Sequence, residues 1–139
     1  MPPAWSVQAS CANVSLIPPS STFSLSFAQP TGRQGAKLSE LVHKDFFDFS
    51  AVESQLTGYD SCFYCEGPSS SGMTEESYFR ATYDMTLAAA QTLARLNPPM
   101  TFLYVSGAGT DSSEKGRAMR ARVKGKTENA LLRLPFKVL

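Results

Sequence analysis

Residues 76–107 read ESYFRATYDMTLAAAQTLARLNPPMTFLYVSG and join a long helical pattern to a short apolar run. Apolar or small side chains recur at spacings of three and four, which predicts an amphipathic helix that Thr74 caps and that extends to Leu96. The Asn-Pro-Pro sequence that follows ends the helix, because proline has no amide hydrogen to donate. The almost wholly apolar segment 101–106 predicts a strand that is covered on both faces.

The same alternation of apolar runs and helical stretches extends through the chain from about residue 37. Alternating strands and helices predict the α/β class, with a parallel sheet formed by right-handed crossovers and helices on both faces. Ligands of such sheets bind at the carboxyl ends of the strands. The other predicted elements are strands over 41–46, 61–65 and 136–139, a short helix that opens on a capping box at Ser50–Glu53, and a helix over 113–133.

The first thirty residues follow a different pattern from the remainder. They are rich in proline and serine and show no sustained period, apart from an alternation over 23–27 that could form a strand. With 139 residues the chain is long enough for one domain of ordinary size. We therefore divide it into a poorly specified segment, 1–30, and a domain, 31–139.

The composition excludes several classes of protein. The net charge is +1 and charged residues make up 18% of the chain, so no global attraction to nucleic acid or anionic membrane is expected. No apolar run is long enough for a transmembrane helix, and the N-terminus lacks the pattern of a secretory signal. Three cysteines, an odd number, fit a cytoplasmic protein with reduced thiols better than a disulfide framework.

Two of the cysteines, Cys62 and Cys65, form a C-x-x-C spacing. In a strand, residues three apart face opposite sides, so the two thiols could not share a metal or close a disulfide without distortion. A redox pair needs its first thiol at a helix N-terminus, and the nearest predicted helix begins near Thr74. The remaining candidate zinc ligands, Cys11 and His43, are irregularly spaced. We predict buried small residues of a core strand here, and no metal site.

The chain resembles the middle of an NAD(P)-binding protein of the short-chain dehydrogenase/reductase superfamily, in its epimerase/dehydratase-like, atypical branch. Three stretches carry the resemblance: ELVHKDFFDFSAVESQLTGYDSCFYCEGPSSSGM (40–73), ESYFRATYDMTLAAAQTLARL (76–96) and MTFLYVSGAGTDSSEKGRAMRARVKGKTENALLRLPFKVL (100–139). It implies a Rossmann-type sheet and an NAD or NADP cofactor. By the same resemblance, the catalytic residues are Ser106 and Lys124, and the cofactor-binding residues are Asp45, Phe46, Cys65, Gly67 and Thr86.

The sequence departs from the family pattern at the groups that bind and react. The family begins with a strand and a G-x-x-G-x-x-G turn that holds the pyrophosphate, and no such sequence occurs here. Arg120 stands at the position of the proton-donating tyrosine and, being always charged, cannot act as a general acid. The resemblance therefore implies a partial Rossmann-type domain, shortened at both ends, that lacks the first strand and binds its cofactor weakly.

Three hypotheses for the function follow. The first is an NAD(P)-dependent oxidoreductase or epimerase with impaired catalysis, and the second is a non-catalytic interaction module that pairs with a protein partner through an open sheet edge. The third, nucleic-acid binding through the basic residues of segment 115–126, is disfavoured because helical spacing distributes those cations around the axis. The substrate and the choice between NAD and NADP stay open.

Overall fold

The computed structural model of the chain describes residues 13–17, 22–26, 38–43, 45–65 and 69–136. Its described strands form one sheet, in the order β3-β2-β1-β4-β5. The strands are β1 (Asn13–Ile17), β2 (Thr22–Ser26), β3 (Leu38–Val42), β4 (Ser61–Cys65) and β5 (Thr101–Tyr104). The helices are a 3-10 helix (Ser50–Gln55), α1 (Glu75–Phe79), a π-helical turn (Arg80–Asp84), α2 (Met85–Leu96) and α3 (Met119–Leu131).

The sheet is mixed, which corrects the prediction of a parallel sheet without a first strand. β2 pairs with β3, and β4 with β5, in parallel, as expected. However, β1 occupies the centre of the sheet and runs antiparallel to both neighbours, β2 and β4. The connection between β1 and β2 spans only residues 18–21. Four residues allow a hairpin, whereas a parallel crossover needs a dozen or more. The combination of parallel strand pairs and flanking helices is compatible with the α/β class.

The segment 1–30 contains more structure than its sequence indicates. The predicted alternation at 23–27 forms β2, one residue earlier than expected. β1 was not predicted at all, although Val14 and Leu16 are register partners of the buried Tyr64 and Cys62 in β4. Five-residue strands carry too few repeats of the alternating pattern to stand out in a sequence.

The long helix from Thr74 to Leu96 is confirmed. The Thr74 hydroxyl accepts the amide hydrogen of Ser77 and caps the helix, as predicted. α1, the π-helical turn and α2 follow one another without a break, and the buried residues of α2 include Leu93 and Ala94. The helix ends before Asn97, whose side chain forms hydrogen bonds to nearby backbone groups.

Helices of the described chain cover one face of β4 and β5. Cys62, Tyr64 and Phe102 are fully or almost fully buried in a core that α2, the 3-10 helix and the end of α3 share. On the other face, Leu103 is 39% and Val105 is 53% exposed. The prediction that segment 101–106 is covered on both faces is therefore wrong.

The strand predicted over 41–46 lies earlier, as β3, and Asp45 and Phe46 follow it in a turn. The Asp45 carboxylate accepts the amide hydrogens of Phe47 (2.9 Å) and Asp48 (3.2 Å). Such a side-chain turn competes with strand pairing and ends β3. The short helix after it is confirmed, but the capping box is wrong: Ser50 is the first residue of the 3-10 helix, and its amide donates to the Asp48 carboxylate at 2.9 Å.

The last helix begins at Met119, six residues later than the predicted start at 113. Residues 107–118 form an irregular loop tied to α3. Phe136 is not part of a strand: it stacks on Phe102, with ring centroids 4.7 Å apart, and residues 137–139 of the predicted last strand lie outside the described residues. In the described ranges, no helix combines the length and apolar character needed to cross a membrane.

Candidate functional site

The carboxyl ends of the strands bring together part of the predicted site. β2, β3, β4 and β5 point the same way, so Asp45, Cys65 and Ser106 lie toward the same end of the sheet. Cys65 and Ser106 belong to the neighbouring strands β4 and β5. Asp45 follows β3 at the far edge, four strand spacings or about 19 Å from β5. Gly67 lies outside the described residues.

Lys124, one of the two predicted catalytic residues, is buried in the first half of α3, at 8% exposure. Its ammonium nitrogen donates to the Tyr104 hydroxyl at 3.3 Å and lies 5.3 Å from the centre of that ring. Burial raises the pKa of the Tyr104 phenol, and Tyr78 and Glu128 add to the shift. This phenol therefore stays protonated at neutral pH and is not prepared to act as a base.

Ser106, the other predicted catalytic residue, does not pair with Lys124. Its hydroxyl donates to the Glu128 carboxylate, one helical turn beyond Lys124 on α3. Thr110 donates to the other oxygen of the same carboxylate, at 3.3 Å. The serine is thus held by an acidic acceptor, which does not by itself make it a nucleophile or a proton donor to substrate.

Arg120, which stands in the place of the family's tyrosine, covers the end of β5. Its guanidinium donates to the carbonyl oxygen of Ala108 at 3.2 Å. A side-chain carbon built on Gly107 would lie only 2.7 Å from the same guanidinium. The arginine therefore packs against the backbone that directly follows Ser106.

A buried polar cluster lies beside this end of the sheet. Tyr78 and Thr82 are 1% and 2% exposed, and burial raises the pKa of Tyr78. The Thr82 hydroxyl is near enough to the phenol to oppose that shift, but among the described atoms it has no hydrogen bond of normal geometry. Thr86, which was predicted to contact the cofactor, is 1% exposed and is one of the buried residues of α2.

The two cysteines lie on opposite faces of β4, as the strand period predicts, but the prediction that both are buried is wrong for Cys65. Cys62 is buried, Cys65 is exposed, and both thiols are free. Burial raises the pKa of Cys62, which suppresses formation of a reactive thiolate. Within the described ranges, no group of three histidine, cysteine or acidic residues is placed to hold a metal ion.

The loop before α3 is organised around Asp111. Its carboxylate accepts the amide hydrogens of Ser113 (3.0 Å), Lys115 (3.1 Å) and Gly116 (2.5 Å). The Ser113 hydroxyl also donates to it, at 2.6 Å. The Ser113 hydroxyl bond and then the Gly116 amide are the main causes that lower the pKa of Asp111 below its usual 3.8.

The Asp111 network predicts a pH dependence of stability. A carboxyl whose pKa is lower in the folded state contributes stability that is present above its unfolded pKa of 3.8 and is lost as the pH falls through the folded pKa. We expect Asp111→Asn to lower the urea midpoint of unfolding at pH 6, and the difference from the unmodified protein to shrink below pH 3.8. A constant difference from pH 6 to pH 2 would contradict this.

The sequence did not indicate Tyr104 and Glu128, the contacts of the two predicted catalytic side chains. Tyr104 lies in a segment that its apolar character marks as a strand, and Glu128 lies in a helix whose basic residues are its most evident feature. Helical spacing could have indicated Glu128, because it follows Lys124 by four residues and lies on the same side of α3. Comparison with protein-family models finds no match to the chain, and comparison with curated proteins finds no significant match.

Proposed function

We propose that the chain is a Rossmann-like protein of the NAD(P)-binding type that has impaired oxidoreductase chemistry and acts as an interaction module. The observation that carries the proposal is the strand order β3-β2-β1-β4-β5. This is the order of the doubly wound dinucleotide-binding fold, 3-2-1-4-5. The reversed direction of β1 is the difference that affects the ligand.

The reversal of β1 removes the feature that grips a dinucleotide. In that fold the pyrophosphate rests on a glycine-rich turn at the carboxyl end of the first strand and on the helix that follows. Here Ile17, the last residue of β1, pairs with Ser61 at the amino end of β4. The connection after β1 therefore leaves the sheet at the end opposite Cys65 and Ser106, and its sequence, PPSS, contains no glycine.

The side chains at the carboxyl ends also argue against efficient proton transfer. Lys124 contacts a protonated phenol, Ser106 contacts the Glu128 carboxylate, and Arg120 covers the end of β5. A proton-donating group in reach of a substrate hydroxyl would be needed for hydride transfer to or from an alcohol. Arg120 does not release a proton near neutral pH, the Ser106 hydroxyl donates to Glu128, and the Lys124 ammonium is buried against Tyr104.

Residual binding of NAD or NADP is the second candidate. Cys65 and Ser106 share one end of the sheet, where ligands of such folds bind, and this supports a low-affinity site. Nucleic-acid binding is disfavoured by the contacts of the basic residues. Arg122 pairs with Glu75 at 2.8 Å and donates to loop carbonyls, whereas Lys126 lies over the ring of Phe79 at 5.1 Å.

Titration of NADH and NADPH tests the proposal. We expect that calorimetry or cofactor fluorescence will show no saturation at micromolar cofactor. The reason is that the turn after β1 lies at the opposite end of the sheet and has no glycine with which to hold the pyrophosphate. Micromolar binding that Lys124→Met weakens at least about tenfold, equal to about 1.4 kcal/mol, would restore the enzyme hypothesis. Lys115→Met, at an exposed loop lysine, is the matched control and should leave any such affinity unchanged.

A further inference from the structure

We draw no further inference here: the strongest candidate, the patch of partly exposed apolar side chains that Phe63, Leu103 and Val105 form on one face of the β4–β5 pair, carries none, because nothing in the described part of the chain shows what covers it.

Discussion

Replacing Gly125 by alanine is expected to lower the free energy of unfolding by about 3 kcal/mol or more. Gly125 lies buried in α3, and a side-chain carbon built on it would be 1.8 Å from the carbonyl oxygen of Asp111 and 2.3 Å from the carbonyl carbon. Both atoms belong to backbone, which no rotamer change can move away. Urea unfolding followed by circular dichroism measures the loss.

The contact at Gly125 also joins the helix to the loop that precedes it. The Asp111 amide donates to the Ala121 carbonyl at 3.0 Å, so the loop backbone lies directly on the first turn of α3. Separating the two by the width of a methyl group would break this bond and disturb the network around the Asp111 carboxylate. We therefore expect Gly125→Ala also to increase the sensitivity of residues 107–118 to proteolysis.

Gly107→Ala is the matched control for Gly125→Ala. Its new side-chain carbon would meet only the end of the Arg120 side chain, at 2.7 Å, and that side chain is exposed and flexible. We expect a change of about 0.5 kcal/mol or less. Equal losses for the two variants would show that the close approach of α3 to the Asp111 backbone does not limit stability.

Replacing Asn97 by alanine is expected to lower the free energy of unfolding by about 3 kcal/mol. It removes the partner of the buried Leu56 carbonyl and of two part-buried amides, those of Gly58 and Tyr59. Asn97 is 4% exposed. Its side-chain oxygen accepts the amide hydrogens of Gly58 (2.8 Å) and Tyr59 (3.0 Å). Its side-chain nitrogen donates to the carbonyl oxygens of Leu56 (2.8 Å) and Leu93 (3.4 Å).

Three of these bonds connect the end of α2 to the segment that leads into β4, and the fourth lies within the last turn of α2. Both elements bound the core. Asn97→Asp tests the accepting and donating atoms of the side chain separately. The carboxylate keeps an oxygen that accepts the two amide hydrogens, but it places a second oxygen against the Leu56 carbonyl. We expect it to destabilise the protein about as much as Asn97→Ala. Asn129→Ala, which removes bonds to Ser112 and Glu114 from a half-buried site, should cost about 1 kcal/mol. A smaller loss of stability for Asn97→Ala than for Asn129→Ala, measured by thermal or urea unfolding, would contradict this account.

The functional proposal depends on the same non-local features. Ser106 follows β5 and Lys124 lies in α3, and their contacts are with Glu128 and Tyr104. The direction of β1 decides whether a main-chain cradle can form at that end of the sheet. Whether such a fold can catalyse a reaction therefore depends on the placement of the first strand as much as on individual side chains.

The sequence by itself determined the features that depend on neighbours along the chain. The helix that Thr74 caps has a long, repeated pattern, and the strand period places Cys62 and Cys65 on opposite faces of β4. It does not show which of the two cysteines is exposed. These signals give the α/β class, because helix and strand periods need only local residues. Thr74 caps its helix by bonding a residue three positions away, which is also a local event.

Only the tertiary structure decided the direction of β1, the exposure of β5 and the contacts of the candidate site. The partners of β1 are β2 and β4, and a residue such as Val14 meets Tyr64, fifty positions away. The start of α3 depends on how Asp111 packs against Gly125, which no helical period reveals. Contacts between distant segments depend on how the whole chain closes its core, and a pattern of neighbouring residues carries little information about them.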